Sequence, residues 1–380
     1  MTRGRFSLTA LLVIVLFILP AVAAPRPELP GGITDKPYLG RGGADVMIGG
    51  YMDHEFLWTD SANTFDAHRF VPFITARVSD RVTMSTEIEF EHGGNLGGDG
   101  EVKLEYAVMD FSLNEKVSFR GGVILSPLGA FNLRHDSPLN DLTARPTVDR
   151  QLIPSTLSES GMGFFGSLYP SDESALSYEV YLVNGFNQGV LSGEAGAKKL
   201  RIRSGRGSQK MDNNENKAIT GRLGFSPRLG LDLGLSTHTG KYDDDGEKTL
   251  TITALDGAAS FGALELTGEF AVASADVDQN AEPGLAEAQR GAYVQTSWHI
   301  MHDRLLDGSV VTLTARGDVM DFDSDIDGDK EEGLTLGVNL RPTEETVFKL
   351  DWNRSWTTAR NSTEQGDGED RISFSFATYF

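Results

Sequence analysis

The feature that most constrains this chain is a period of two in its apolar residues. Within residues 81–92, for example, Val82 and Met84 share one face, while Glu87 and Glu89 lie on the other. This alternation is typical of a β-strand with one apolar face, whereas an amphipathic helix needs a period of 3.6. Sixteen such segments are predicted as strands, at residues 45–56, 66–77, 81–92, 101–111, 117–124, 161–168, 174–186, 217–227, 229–239, 248–258, 260–274, 288–300, 309–321, 332–341, 345–357 and 370–380.

The connections between these strands alternate in length. Those after even-numbered strands are mostly tight, as at Ser79-Asp80 and Asn114-Glu115, while those after odd-numbered strands are longer, polar and rich in Gly or Asp. Outer-membrane barrels combine short periplasmic turns with long extracellular loops in this way. A soluble β-sandwich is the competing interpretation, and the connection pattern favours the barrel. We therefore predict an all-β fold, a transmembrane antiparallel β-barrel of sixteen strands with an inward-folded third extracellular loop.

The two ends of the chain carry targeting features. Arg3 and Arg5 precede an apolar run at residues 8–19, and small residues end at Ala23. This pattern predicts a secretory signal peptide, and the run is short for the alternative, an uncleaved anchor helix. The predicted organisation is a signal peptide at 1–23, an N-terminal periplasmic linker at 24–44 and a transmembrane β-barrel at 45–380.

The last predicted strand is rich in aromatic residues on one face. Phe374, Phe376 and Phe380 alternate with small or polar residues. This tail resembles the assembly signal of Gram-negative outer-membrane proteins, in which a terminal Phe follows alternating aromatics. The resemblance implies an outer-membrane localisation and recognition by the barrel assembly machinery.

Composition excludes several classes of function. The chain has 34 Lys and Arg, 55 Asp and Glu, a formal charge of −21 and no Cys. The acidic balance argues against nucleic-acid binding, and the absence of Cys excludes thiol catalysis and thiolate metal sites. His299 and His302 stand near a predicted periplasmic turn rather than on a helix, which argues against a ligand pair. We predict no enzyme, no cofactor and no metal.

The polar faces of the strands are predicted to line the lumen. A barrel of sixteen strands is wide enough to leave an aqueous channel, and mixed charges on its wall bias which solutes cross it. The alternative is that these charges pair and merely solvate the wall. The predicted pore-lining residues are Arg81, Glu87, Glu89, Lys103, Glu105, Arg222, Arg316 and Asp318.

The third loop, predicted at residues 125–160, is too apolar for a solvated tip. It contains Leu128, Leu142, Ile153 and Leu157, which predicts that it packs inside the lumen and narrows it. The alternative is a lid that folds over the rim. The predicted pore constriction consists of Arg120, Arg134, His135, Asp136, Asp141, Arg145 and Arg150.

Two further loops are strongly charged. The predicted fourth loop, residues 188–216, holds a basic cluster that would attract anions or pair with lipopolysaccharide phosphates, unless it is only a solvated surface. The seventh loop has Asp at alternate positions from Asp321 to Asp329. It resembles the opening of a calcium loop, but Leu334 stands where the bidentate Glu is needed, so diffuse association with divalent cations is the preferred interpretation.

Several stretches between residues 45 and 190 are similar to a known family. They are Gly49-Gly50-Tyr51-Met52-Asp53-His54-Glu55, the segment 65–70 with His68, residues 87–91, Gly121-Gly122, residues 127–132 with His135, Arg145-Pro146 and Gly161-Met162-Gly163. Together they resemble the phosphate-selective porin O and P superfamily of trimeric sixteen-stranded barrels. The resemblance implies a homotrimeric porin that forms a water-filled channel for passive diffusion of small hydrophilic solutes, including anions such as phosphate.

The chain also departs from that family. Phosphate selectivity there implies a ladder of Arg with Lys at the constriction, whereas Arg is thinly spread here and acids lie nearby. The resemblance therefore supports the family's fold and channel activity for this chain better than it supports the family's substrate. A non-conducting structural or adhesin-type barrel is the alternative function.

Overall fold

Sixteen antiparallel strands close into one barrel, because β1 pairs with β2 on one side and with β16 on the other. The computed structural model describes residues 45–59, 63–94, 100–191 and 198–380. The strands are β1 (Asp45–Thr59), β2 (Asn63–Arg77), β3 (Val82–Glu91), β4 (Glu101–Asn114), β5 (Val117–Leu125), β6 (Ser158–Ser171), β7 (Ser174–Val183), β8 (Ala218–Arg228), β9 (Leu231–Lys241), β10 (Thr249–Phe261), β11 (Leu264–Ala275), β12 (Ala288–His302), β13 (Val310–Asp321), β14 (Lys330–Arg341), β15 (Thr346–Thr358) and β16 (Glu369–Tyr379).

Helical structure in the described residues is confined to single turns in two loops. These turns are Ala130–Leu133, Ser137–Leu139, Thr147–Gln151, Gln188–Leu191 and Ile202–Gly205. No helix in the described part of the chain is both long and apolar enough to cross a membrane. The predicted signal peptide and linker, at 1–23 and 24–44, lie outside the described residues and stay predictions.

All sixteen predicted strands are present, with ends that agree to within four residues. The largest difference is at β11, which begins at Leu264 instead of residue 260. Gly262, at a φ of 65°, turns the chain there, and β10 extends to Phe261. The predicted fold class is confirmed.

Most strands carry apolar residues on the outer face and polar residues inside. Leu233 and Val294 are 49% and 57% exposed on the outside, whereas Glu89 and Glu105 are fully buried within the barrel. An apolar exterior and a polar interior are what a barrel in a bilayer requires.

Part of the inner wall is apolar instead of polar. Leu250 and Ile252 of β10 are buried on the lumen side, and so are Ala271 and Ala273 of β11, which share a strand face with the buried Glu269. The reason is that loops inside the barrel cover this part of the wall. The resulting buried cluster, here called the lumen cluster, comprises Leu128, Val148, Leu152, Ile153, Leu157, Phe186, Val190, Leu200, Ile202, Tyr242, Leu250, Ile252, Ala254, Ala271, Ala273, Ala275, Leu285, Tyr293, Met320 and Phe322.

Candidate pore constriction

The third loop, residues 126–157, lies inside the barrel and is bound to its wall. On one side the Ala130 N–H donates to Glu269 Oε2 of β11 at 2.8 Å. On the opposite side His135 Nε2 lies 3.1 Å from Glu105 Oε2 of β4. These contacts confirm the predicted inward fold and contradict a lid over the rim.

The same loop is also bound to the last strands of the barrel. Lys349 Nζ of β15 donates to the Ser137 carbonyl at 2.7 Å, and Tyr379 Oη of β16 donates to Asp136 Oδ2 at 2.9 Å. The Thr147 N–H donates to Asp318 Oδ1 at 3.0 Å. Each bond satisfies a buried polar group that would otherwise carry a desolvation cost. The loop is therefore fixed at many points.

One face of the loop is apolar and completes the lumen cluster. Leu128, Val148, Leu152 and Ile153 are fully buried against the inner wall of β10 to β13 and against the fourth loop. This packing fills one side of the lumen and leaves the charged residues on the other side.

A cavity of about 1000 Å³ lies beside the loop, in the half of the barrel next to the long loops. Its lining holds seven Arg and Lys residues against six Asp and Glu residues, although the whole chain has a formal charge of −21. The cations are Arg69, Arg145, Arg150, Arg203, Arg316, Lys349 and Arg371, and the carboxylates are Glu55, Glu91, Asp318, Glu331, Glu369 and Asp370. The cavity is therefore much less acidic than the protein.

The carboxylates of this lining are better neutralised than its cations. Among the described residues, four of the six acids pair with an Arg, with Glu55 and Glu369 the exceptions, whereas Arg145, Arg203, Lys349 and Arg371 form no ion pair. Unpaired cations in a partly buried cavity raise the local potential, because the surrounding protein screens them less than water does.

Two of these cations share an acceptor. Arg145 Nη1 and Arg203 Nη1 donate to the Ser155 carbonyl at 3.0 and 2.8 Å. Arg145 Nη2 is buried and has no hydrogen-bond partner among the described residues. Burial, together with the charge of Arg69, lowers the pKa of Arg145 to about 10, which leaves it protonated at neutral pH. Arg145 therefore places a positive charge at the cavity.

Two acids of the loop are also perturbed by burial. The pKa of Asp149 is raised well above its usual range, because burial disfavours its charge and Glu269 repels it. Burial likewise raises the pKa of Asp136. Both changes reduce the negative charge of the loop.

The predicted constriction residues divide into three groups. His135, Arg145 and Arg150 line the cavity. Asp136 and Asp141 instead bind Tyr379 and Arg341, at strand ends next to the short turns. The remaining two residues, Arg134 and Arg120, do not line the cavity.

Arg134 and Arg120 differ from the expected arrangement for separate reasons. Arg134 is exposed on a helical turn of the loop. Arg120, a wall residue of β5, makes a bidentate pair with Asp110 at 2.7 and 2.8 Å and stacks over Phe165 at 4.4 Å. Its charge is engaged on the wall, which the sequence spacing did not indicate.

Most predicted pore-lining charges face the interior, and most of these form ion pairs. Lys103 Nζ lies 2.5 Å from Glu89, and Arg222 makes a bidentate pair with Asp256 at 2.5 and 2.7 Å. Arg81 is the exception, because it belongs to the exposed turn before β3. The remaining interior residues of the predicted set are Glu87, Glu105, Arg316 and Asp318.

The charged side chains of the fourth and seventh loops make more contacts with the rest of the protein than their sequences indicated. In the fourth loop Arg203 lines the cavity, while Lys199 stacks over Phe322 at 4.0 Å. Asp323 and Asp329 of the seventh loop bind Arg360, which lies in the loop between β15 and β16, at 2.5 and 3.1 Å. An arginine therefore occupies the position between the alternating carboxylates that a cation would take.

Comparison with known proteins supports the fold and leaves the family open. No family model matches the chain. An uncharacterized protein of Aquifex aeolicus is 32% identical over 229 residues, which are 56% of this chain and 50% of that protein. The chain thus spans about half the length of the curated relative it matches.

Solved outer-membrane barrels share the architecture at low identity. The anion-selective porin from Comamonas acidovorans is 12% identical, with a TM-score of 0.57 over 89% of this chain and 100% of that one. The outer membrane channel DcaP of Acinetobacter baumannii is 11% identical, with a TM-score of 0.55 over 89% and 98%. The trimer form of OmpT of Vibrio cholerae is 11% identical, with a TM-score of 0.55 over 89% and 100%. The barrel fold matches outer-membrane proteins of Gram-negative bacteria, in agreement with the predicted localisation.

Proposed function

We propose that the protein is an outer-membrane porin, a water-filled channel for passive diffusion of small hydrophilic solutes. The observation that carries this proposal is the charged cavity beside an inward-folded loop within a closed sixteen-stranded barrel. A barrel of this size has more interior space than its own side chains fill. Solved barrels of the same fold include proteins described as a porin and as an outer membrane channel.

We propose further that the channel prefers small anions, with inorganic phosphate as the first solute to test. The support is local, because Arg145 and Arg203 carry charges that no carboxylate of the described residues pairs. The many acids of the outer loops are separated from the cavity and screened by salt within about one Debye length, ~10 Å at 0.1 M.

The proposed assembly is a homotrimer inserted by the barrel assembly machinery. The solved OmpT barrel of this fold includes a trimer form. Phe374 and Phe380, which are 40% and 59% exposed, would present the aromatic row to the assembly machinery. Lipid and lipopolysaccharide would then cover the outer surface.

Planar bilayer recordings test the channel directly. Purified protein should give discrete conductance steps, and a KCl gradient should give a reversal potential of the sign expected for chloride preference. Millimolar phosphate should then reduce the chloride current if both anions use the same site. Conductance steps with a cation-selective reversal potential would contradict the anion preference and would still support the proposal that the protein is a porin.

A non-conducting structural or adhesin-type barrel is the second candidate. It is favoured by the lumen cluster, which fills one side of the interior, and by the many bonds that hold the third loop. Folded protein that inserts into the bilayer and produces no current would support it. An enzyme is not proposed.

A further inference from the structure

A cluster of two imidazoles and one carboxylate lies on the wall near the cavity, toward the long-loop end of β2. Asp66 Oδ1 is 2.8 Å from His92 Nδ1, and Asp66 Oδ2 is 3.2 Å from His68 Nδ1. One ligand atom from each residue lies within 4.8 Å of the others. We propose that Asp66, His68 and His92 bind a divalent transition-metal ion of the Zn²⁺ or Ni²⁺ class.

An irregularity in β2 places Asp66 and His68 on the lumen side. In the pairing with β1, Asp53 faces Arg69 and Glu55 faces Asp66, so β2 has one extra residue in this interval. Neighbouring residues of a regular strand point to opposite faces, and a bulge changes that alternation. As a result His68 and Arg69, adjacent in sequence, both line the cavity.

The second imidazole is brought to the site at the end of β3. His92 has a φ of 50°, which is uncommon for a residue other than glycine, and its N–H donates to the His68 carbonyl at 3.2 Å. This bond fixes the two histidines relative to each other. Their rings lie 5.6 Å apart, and both line the cavity.

The other nitrogen of His68 faces a second carboxylate. Its Nε2 is 3.7 Å from Glu55 Oε1, and Glu55 is only 8% exposed. Metal-binding histidines commonly have the non-ligating ring nitrogen directed at a carboxylate, which orients the ring and makes it a better ligand. Nδ1 of His68 is thereby left to face Asp66.

The surrounding charges favour a cation at this position. Arg69, the neighbouring arginine of β2, is engaged by Glu89 at 2.6 Å and by Glu91 at 2.9 Å. Its positive charge is thus balanced by these two carboxylates, whereas Asp66 and Glu55 add negative charge beside the imidazoles.

The donor set decides the class of ion. Imidazole nitrogens with a carboxylate oxygen suit Zn²⁺, Ni²⁺ and Cu²⁺, whereas Ca²⁺ and Mg²⁺ prefer ligand sets made of oxygen. Three protein ligands leave a coordination position open, as in exchangeable zinc sites. Asp66, His68 and His92 are 20%, 21% and 44% exposed, so an ion can reach them from the cavity.

A second cluster illustrates what a structural histidine looks like in this barrel. Glu87, Glu105 and His135 also bring ligand atoms together. Both ring nitrogens of His135 are occupied, by Glu105 at 3.1 Å and by the Asn132 carbonyl at 2.8 Å, and all three clustered residues are buried. That cluster anchors the third loop and is not proposed as a metal site.

Zn²⁺ binding to the purified full-length barrel tests the proposal. Equilibrium dialysis against ZnCl₂ in excess Mg²⁺, followed by elemental analysis, should give one tightly bound Zn²⁺ per chain. Loss of an outer-shell partner alone costs about 10- to 100-fold in metal affinity, so Asp66→Asn and His92→Ala should weaken binding at least that much. The matched control is His302→Ala, which removes an imidazole at the opposite end of the barrel and should leave binding unchanged.

The assay separates this proposal from the channel function. Dialysis measures binding without current, so a non-conducting barrel would not affect the result. Heat-modified mobility on SDS gels verifies that each variant is folded, and His92→Gln provides a second variant at the exposed position. The site would be overturned if the unchanged protein bound no Zn²⁺, or if Asp66→Asn and His92→Ala bound Zn²⁺ as tightly as the unchanged protein.

Discussion

Arg145 of the third loop and Arg203 of the fourth loop donate to a single acceptor, the Ser155 carbonyl, at 3.0 and 2.8 Å. Two loops that are far apart in sequence therefore place two cations at one position on the cavity. Like charges repel each other, and their pairing with a carbonyl rather than a carboxylate leaves the net charge of both groups uncompensated.

Replacing both arginines should reduce anion preference. For Arg145→Gln with Arg203→Gln we expect the anion-to-cation permeability ratio to fall about three- to tenfold, equivalent to about 0.7–1.4 kcal/mol, because two weakly screened charges are lost. Reversal potentials in a salt gradient measure the ratio. Arg304→Gln, in an exposed short turn, is the control, and an equal effect there would show that the two loop arginines are not special.

Breaking the anchor between His135 and Glu105 should destabilise the third loop. Glu105 is fully buried and is held by His135 Nε2 at 3.1 Å and by Thr156 Oγ1 at 3.0 Å. His135→Ala leaves a buried carboxylate without its partner, at a cost of about 3–5 kcal/mol. We expect a lower temperature of heat modification and noisier channels.

A double-mutant cycle identifies the cause of that loss. Glu105→Gln combined with His135→Ala removes the stranded charge, so part of the stability should return. A double variant whose loss equals the sum of the two single losses would show that the residues do not interact energetically.

Relative to the unchanged protein, Asp149→Asn should have the same free energy of unfolding at pH 4 and a higher one at pH 7. Neither carboxylate oxygen of Asp149 has a hydrogen-bond partner among the described residues, and burial raises its pKa well above 3.8. A raised folded-state pKa means that the native protein holds a proton that the unfolded chain releases, so wild-type stability falls as pH rises above about 4. The loss is up to about 1.4 kcal/mol per pH unit.

Unfolding in denaturant at several pH values measures this effect. The difference between Asp149→Asn and the unchanged protein should widen with pH until the folded-state pKa is reached. A difference that is independent of pH would mean that Asp149 is ionised in the folded barrel.

Deleting Phe380 should impair closure of the barrel. Phe380 and Gly50 exchange two backbone hydrogen bonds, at 2.9 and 3.2 Å, and the Phe380 ring stacks on Phe70 at 5.6 Å. Phe380→Ala keeps the backbone bonds and loses only the aromatic contact, worth about 0.5–1.5 kcal/mol beyond burial. Outer-membrane yield should therefore fall in the order unchanged protein, Phe380→Ala, deletion. Normal yield of the deleted chain would contradict an assembly role.

The architecture was predictable because its signals are local. Alternation within each strand and the lengths of the connections depend on neighbouring residues alone, so all sixteen strands and the inward third loop follow from them. The apolar content of that loop, with Leu128 and Ile153 as examples, could not be accommodated in solvent. His135, Arg145 and Arg150 were placed at the cavity for the same reason.

The pairing of side chains across the barrel was decided only by the tertiary structure. Period two identifies two faces and does not say which faces lipid, so β10, whose Leu250 and Ile252 are covered by loops, differs from the expectation. Sequence distance likewise hides the meeting of Arg145 with Arg203. The one extra residue that turns His68 toward the cavity depends on register with β1, because closure of the sheet, rather than any local preference, sets which residues stand opposite each other.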